Sequence, residues 1–333
     1  MLAINPARLP SCGVFYGLLA SCLVSPLTHG QPAEPFSSRD QNPLVAIYGL
    51  PLPVNARLLN PGDSNWLSAF NISNTLNVAN TATNTLRVDA ESKQLNLVYA
   101  YSFSPDWMLR LQTGFMGHSA GFLDSWIDNY HQLLGLKEGV RPYVTINQFQ
   151  IYVSDGSNTL INMQSPQSGL GDMQIQLGTQ LFIQADSATS LWASLKLPTG
   201  DSAKLTGSGA IDVALWLSTQ QEINPDTWLY AQLGGLYMRD TDVLKSLHKN
   251  TAGFGNLGIS YTYNELLQFK TQIDTHTALY NTQMTFLGTA IQLTFGGSIT
   301  FSKKNSIDIA VSEDIKTGSS PDVTFNISWI TKI

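Results

Sequence analysis

Cysteine is almost absent from this chain: the two present, Cys12 and Cys22, both lie within the first two dozen residues. The rest of the sequence therefore holds no disulfide framework and no cysteine-based metal site. Charge is scarce too. Asp, Glu, Lys and Arg make up 13% of the 333 residues, against about a quarter in an ordinary soluble domain. No cluster of Lys and Arg exists to neutralise phosphates, and the formal net charge is −6, so nucleic acid is excluded as a partner. Beyond the N-terminal region no uninterrupted apolar stretch reaches the roughly 18 residues that a membrane-spanning helix needs. A membrane location can then be reached only by a closed barrel.

What is there instead is alternation. Ile291, Leu293, Phe295, Gly297, Ile299 and Phe301 fall on one face of an extended chain, and Gln292, Thr294, Gly296, Ser298 and Thr300 on the other. The same period of two runs through Ile211, Val213, Leu215 and Leu217 against Asp212, Ala214, Trp216 and Ser218, and through Met173, Ile175 and Leu177 against Gln174, Gln176 and Gly178. A parallel sheet would show continuous apolar runs, and an amphipathic helix would repeat at 3.6 residues. Several of these strands reach the roughly nine to eleven residues that cross a bilayer at a tilt, longer than the usual strand of a sandwich. The pattern predicts an all-β fold, an antiparallel transmembrane β-barrel over 66–333.

About fourteen strands can be counted between 66 and 331, one of them placed at 285–301. The region 146–163 is ambiguous: if it pairs only outside the membrane, the count falls to about twelve, still even as bacterial barrels require. Ser104-Pro105-Asp106, Asn224-Pro225-Asp226 and Lys303-Lys304-Asn305 read as tight turns, while 118–145, 198–210 and 240–253 are long connections. Short periplasmic turns and long outer loops give that asymmetry. In one long loop Phe122, Leu123, Trp126, Ile127, Tyr130, Leu133 and Leu134 approach helical spacing, predicting a short helix over 121–136.

The N-terminal region carries an export pattern over 1–30: Arg8, an apolar stretch from Val14 to Val24, then Thr28-His29-Gly30. This is the form of a secretory signal peptide, which with a barrel implies the outer membrane of a Gram-negative cell. Leu19-Ala20-Ser21-Cys22 leaves a lipoprotein with Cys22 acylated as the less favoured alternative. Residues 31–65 follow, with prolines at 32, 35, 43, 51, 53 and 61, so regular structure is not expected there. Leu44, Val45, Ile47, Tyr48, Leu50 and Leu52 are nevertheless too apolar to stay in water. We expect Asn42 to Pro53 to plug the barrel lumen near its periplasmic end; docking on the outer rim or on a periplasmic partner is the rival.

Charges cannot face hydrocarbon cheaply, so Arg110, Lys196, Asp212, Lys270, Asp274, His276 and Asp308 are the candidate lumen-lining residues. Either the lumen accommodates them as ordinary polar side chains, or they form a constriction with opposed charges. No cofactor, metal site or catalytic residue is expected. Barrel hydrolases of the outer membrane resemble one another in a His with Ser two residues later; here Ala278 stands where the Ser would be after His276, and Thr277 lies on the opposite face. His118-Ser119 fails for the same reason, since adjacent strand residues diverge.

The run Gly121-Phe122-Leu123-Asp124-Ser125-Trp126-Ile127, with His131, Gly135-Leu136 and Gly139-Val140-Arg141, resembles a proteobacterial family known only as a domain of unknown function, numbered 3187. Gly169-Leu170-Gly171-Asp172, Leu197-Pro198-Thr199-Gly200-Asp201, Gly207-Ser208-Gly209 with Asp212, and Ser312-Glu313-Asp314 are similar to it in the same order. The resemblance implies a barrel with no established activity. The expected role is a channel or binding barrel for a small, apolar solute, in contact with outer-membrane lipids and folded by the barrel-assembly machinery. A lipid-modifying enzyme and a purely structural barrel are the alternatives.

Overall fold

The computed structural model describes residues 34–125 and 147–333. The expected signal peptide, Cys22 and most of the expected helix over 121–136 lie outside these residues. Fifteen strands are formed among the described residues: β1 (Ser64–Asn80), β2 (Asn84–Ser104), β3 (Trp107–Ser119), β4 (Gln150–Asp155), β5 (Asn158–Met163), β6 (Gln167–Leu170), β7 (Met173–Ile183), β8 (Ser187–Leu197), β9 (Asp212–Asn224), β10 (Thr227–Met238), β11 (Thr251–Thr262), β12 (Leu267–His276), β13 (Ala290–Ser302), β14 (Asn305–Asp314) and β15 (Val323–Lys332).

Twelve of them close on themselves. Strands β7 to β15 pair in sequence, β15 pairs with β1, β1 with β2, β2 with β3, and β3 returns to β7, all antiparallel. The β4–β5 hairpin adds to Asn84–Asp89 of β2, and β6 to Phe115–His118 of β3. Because β2 runs 21 residues, about twice what a bilayer crossing requires, its first part extends past the ring, and β4 pairs there. The described part of the ambiguous region, with β4 and β5, is therefore outside the ring, which fixes the barrel at twelve strands. The strand expected at 285–301 begins only at Ala290: Thr285–Leu287 form a 3-10 turn that buries Phe286 and Leu287.

The alternation seen in the sequence is the inside and outside of this wall. Along β9, Val213, Leu215 and Leu217 are exposed while Asp212, Ala214, Trp216 and Ser218 are buried. Exposed Trp66, Tyr101, Phe103, Trp107, Phe301 and Trp329 gather at the end of the short turns, as an interfacial aromatic girdle does. No helix among the described residues is long and apolar enough to cross a membrane; the strands supply the apolar belt.

Candidate functional site

The barrel interior is occupied by the chain's own residues 34–58. The segment climbs β12, whose inward residues recur every second position. Lys270 Nζ donates to the Glu34 carbonyl at 2.9 Å, Phe36 N donates to Gln272 Oε1 at 3.1 Å, and His276 Nε2 lies 2.9 Å from Asp40 Oδ2. Asn42 Nδ2 then reaches the carbonyl of Phe286, in the long connection between β12 and β13, at 2.8 Å. From there the chain turns and descends. Gly49 N donates to Asp212 Oδ2 at 2.8 Å, Ser218 Oγ to the Val54 carbonyl at 3.0 Å, and Gln180 Nε2 to the Ala56 carbonyl at 3.1 Å. Arg57 Nη2 meets the carbonyl of Gln184, in the short turn before β8, at 2.7 Å.

This path corrects the expected position of the plug. Asn42 to Tyr48 sit at the end of the long loops, opposite the periplasmic end predicted for them. The physical reason lies in the loops: Leu205, Val243, Leu244, Leu247, Leu279 and Phe286 are buried in one cluster with Leu44, Val45, Ile47 and Tyr48. The apolar apex is covered by apolar loop residues and not by the polar lower lumen. Tyr280 Oη donates to the Leu44 carbonyl at 2.6 Å, and the Tyr48 ring stacks on His248 with centroids 5.6 Å apart. Burial raises the pKa of both phenols, Tyr48 and Tyr280, so both remain neutral.

The apex is a turn made by its own side chains. The Asn42 carbonyl accepts from Val45 N and Ala46 N, each at 2.8 Å, while Asn42 Oδ1 takes Leu44 N at 2.9 Å, an Asx turn. Arg39, on the climbing limb, spans the gap to close it. Its guanidinium donates to the carbonyls of Ala46 at 3.0 Å and Tyr48 at 3.2 Å, and to that of Leu50. Burial pushes the Arg39 guanidinium down to about 10, so it stays a cation at neutral pH.

The seven lumen candidates do not form one constriction; the structure divides them. Lys196 Nζ lies 2.6 Å from Asp172 and 3.0 Å from Asp212, and donates to the Ile47 carbonyl at 3.2 Å and to Ser208 Oγ. Lys270 pairs with Asp308 at 2.7 Å, whose other oxygen accepts from Ser298 Oγ at 2.6 Å, and its ammonium stands 4.4 Å from the Phe36 ring centroid. His276 meets Asp40. Asp274 takes both Gln272 Nε2 contacts at 2.9 Å. Arg110 stands apart, its guanidinium 5.8 Å from the Trp192 ring centroid.

Asp172 and Asp40 were missed in the sequence. Asp172 lies in the Gly169-Leu170-Gly171-Asp172 run, which marked it without saying which cation it meets. Asp40 sits in the irregular segment, and its partner is 236 residues away.

Neither histidine offers a nucleophile dyad to a substrate. His276 Nδ1 faces the Thr277 carbonyl at 2.9 Å. His118 meets Ser92 Oγ at 2.8 Å, not Ser119, but its Nε2 faces the Leu205 carbonyl at 3.0 Å and both residues are buried. Among the described residues no group of three metal-ligating side chains exists. Cavities of about 40 Å³ beside Asp40 and His276, about 10 Å³ beside Lys196, and about 80 Å³ beside Arg110 remain along the threaded segment.

A family model described as "Protein of unknown function (DUF3187)" matches residues 21–333. No curated protein matches the chain in sequence. Among solved structures the fold is similar to that of an outer membrane channel from Pseudomonas putida F1, named for the COG4313 group, with a TM-score of 0.57 and 12% identity over 84% of this chain and 99% of that one. The NanC porin (TM-score 0.48, 7% identity, 81% and 100% covered) and the Pseudomonas putida toluene transporter TodX (TM-score 0.37, 10% identity, 82% and 89% covered) are more distant.

Proposed function

The chain belongs to the DUF3187 family of proteins of unknown function, and we propose that this outer-membrane barrel is a gated conduit for small, largely apolar solutes, closed in the described state by residues 34–58. One observation carries the reading. The segment that fills the lumen is held by side-chain hydrogen bonds, ion pairs and apolar contact, and no ladder joins it to any strand. Such contacts can be exchanged for water or solute without breaking the wall, whereas an added strand could not. The apolar apex against apolar loops at the outer end favours solutes that partition out of water. The similar fold of a protein described as an outer membrane channel supports a conduit.

Membrane lipids around the exposed belt and the assembly machinery acting on the strands are the other proposed partners. A lipid-modifying role finds no support, because His276 spends its ring nitrogens on Asp40 and a backbone carbonyl, with no hydroxyl nucleophile between them.

The test is conductance in planar bilayers. Deleting Asn42 to Pro53 while keeping Trp66 onward should leave heat-modifiable mobility intact and raise single-channel conductance above that of the full chain. A deleted barrel that folds and conducts no more than the full chain would show that the segment does not close a passage.

A further inference from the structure

Two of the buried lumen cations are matched: Lys196 and Lys270 each have a carboxylate oxygen within 3.0 Å, as does the His276 ring. Arg110 is not. It is 6% exposed, its Nη1 has no hydrogen-bond partner, and it borders the cavity of about 80 Å³ near the short-turn end. Behind it stands the face of Trp192. Leu67, Val98, Met108 and Ile330 form an apolar part of the lining, while Glu34, Asn55, Arg57 and Asn65 add polar groups. Glu34 also borders the cavity, but no carboxylate among the described residues forms an ion pair with Arg110. The guanidinium is thus left with its charge uncompensated.

An uncompensated buried cation is costly unless an anion joins it. The apolar part of the lining beside the guanidinium fork also selects an anion with a carbon body over a hydrated inorganic one, since the guanidinium matches a carboxylate and the apolar side chains desolvate the rest. We propose that the cavity around Arg110 is a binding site for a short-chain monocarboxylate, its carboxylate on Arg110 and its apolar body among Leu67, Val98, Met108 and Ile330. At about 80 Å³ the space is smaller than the roughly 150 Å³ that accepts benzene, which sets the size near that of butyrate. The inference goes beyond the conduit reading, because such binding would stand in a barrel that conducts nothing.

Isothermal calorimetry on the full chain refolded in detergent tests it, with butyrate as the probe and butyramide and inorganic phosphate as controls. Butyrate should bind at one site with a dissociation constant on the order of 1 mM, and butyramide and phosphate at least about tenfold more weakly. Arg110→Gln should weaken butyrate by about tenfold or more, provided its heat-modifiable mobility shows a folded barrel. Leu67→Trp, which fills the apolar side and leaves Arg110 untouched, should also abolish binding. Equal affinity for butyrate and butyramide, unchanged butyrate binding in both folded variants, or no binding by the unaltered chain would overturn the proposal.

Discussion

The backbone amide of Gly49 donates to Asp212 Oδ2 at 2.8 Å, and the same oxygen lies 3.0 Å from Lys196 Nζ. A residue of the threaded segment is thereby keyed into an ion cluster of the wall. Only a glycine fits there with ease: a Cβ at position 49 would stand 3.0 Å from the Asp212 Cβ and 3.3 Å from the Lys196 Cβ. The cluster therefore joins barrel stability to the position of the plug.

Lys196 holds two buried carboxylates, so its replacement tests that cluster. Lys196→Met should destabilise the barrel by about 3 to 5 kcal/mol, because Asp172 and Asp212 would be left buried without a cation. Adding Asp172→Asn and Asp212→Asn should recover a large part of the loss. Urea unfolding in lipid vesicles, followed by tryptophan fluorescence, reads both. A single variant as stable as the parent would mean that water reaches the cluster.

The strands were legible because two solvents meet along each of them, hydrocarbon outside and a polar lumen inside, and each residue faces one or the other. Where that contrast fails, so does the reading. Trp192 and Trp216 sit opposite each other on β8 and β9 with their rings stacked inside the barrel at 6.0 Å, filling a lumen that alternation alone describes as polar. The signal available was glycine. A Cβ at Gly178 would come within 2.6 Å of Trp192, and one at Gly234 within 2.4 Å of Trp216, so each makes room for an indole beside it. Phe286 and Leu287 directly precede a strand, so the sequence merges them with it; they belong to the cover over Leu44 and Tyr48. Nothing in their local pattern marks the long-loop end as the one that holds the apex. Pairings such as Asp40 with His276 left no local trace, since neither residue's neighbours differ from those of a solvated one.

The two ends of the barrel should differ in access from outside the cell. Ala203 and Lys245 are exposed in long connections, and Pro225 is exposed in a short turn. Epitope tags inserted at Ala203 or Lys245 should be reached by antibody on intact cells, and a tag at Pro225 only after the outer membrane is opened. The reverse order would invert the barrel, since short turns belong to the periplasmic side.

The outward face should tolerate carbon and refuse charge. Leu215 is 56% exposed on β9, paired with Ala193 near the middle of β8. Leu215→Arg should cost about 2 to 4 kcal/mol of folding free energy in a bilayer, and Leu215→Ile under about 1 kcal/mol. Asp226→Arg, in a turn exposed to water, should cost almost nothing by comparison. Similar losses for Leu215→Arg and Asp226→Arg, measured by folding into vesicles of one lipid, would remove Leu215 from the hydrocarbon belt.

Arg39 offers a way to loosen the plug without shortening it. Its guanidinium is the clasp that ties the climbing limb to the carbonyls of Ala46, Tyr48 and Leu50, and none of those bonds goes to the wall. Arg39→Met keeps the apolar stem and removes the donors, leaving three buried carbonyls without that partner at about 1 to 3 kcal/mol each if no water replaces it. That penalty falls on the closed state, since a displaced segment has its carbonyls in water, so the equilibrium should shift toward open by about tenfold for each 1.4 kcal/mol realised. The barrel wall, which Arg39 does not touch by hydrogen bond, should keep its heat-modifiable mobility. In planar bilayers the variant should show longer open times at the conductance of the segment-deleted barrel, and Arg39→Lys, a cation without the fork, should fall between it and the parent. Unchanged gating in Arg39→Met, alongside raised conductance in the deletion, would mean that the wall contacts at Asp40 and Gly49 hold the segment by themselves.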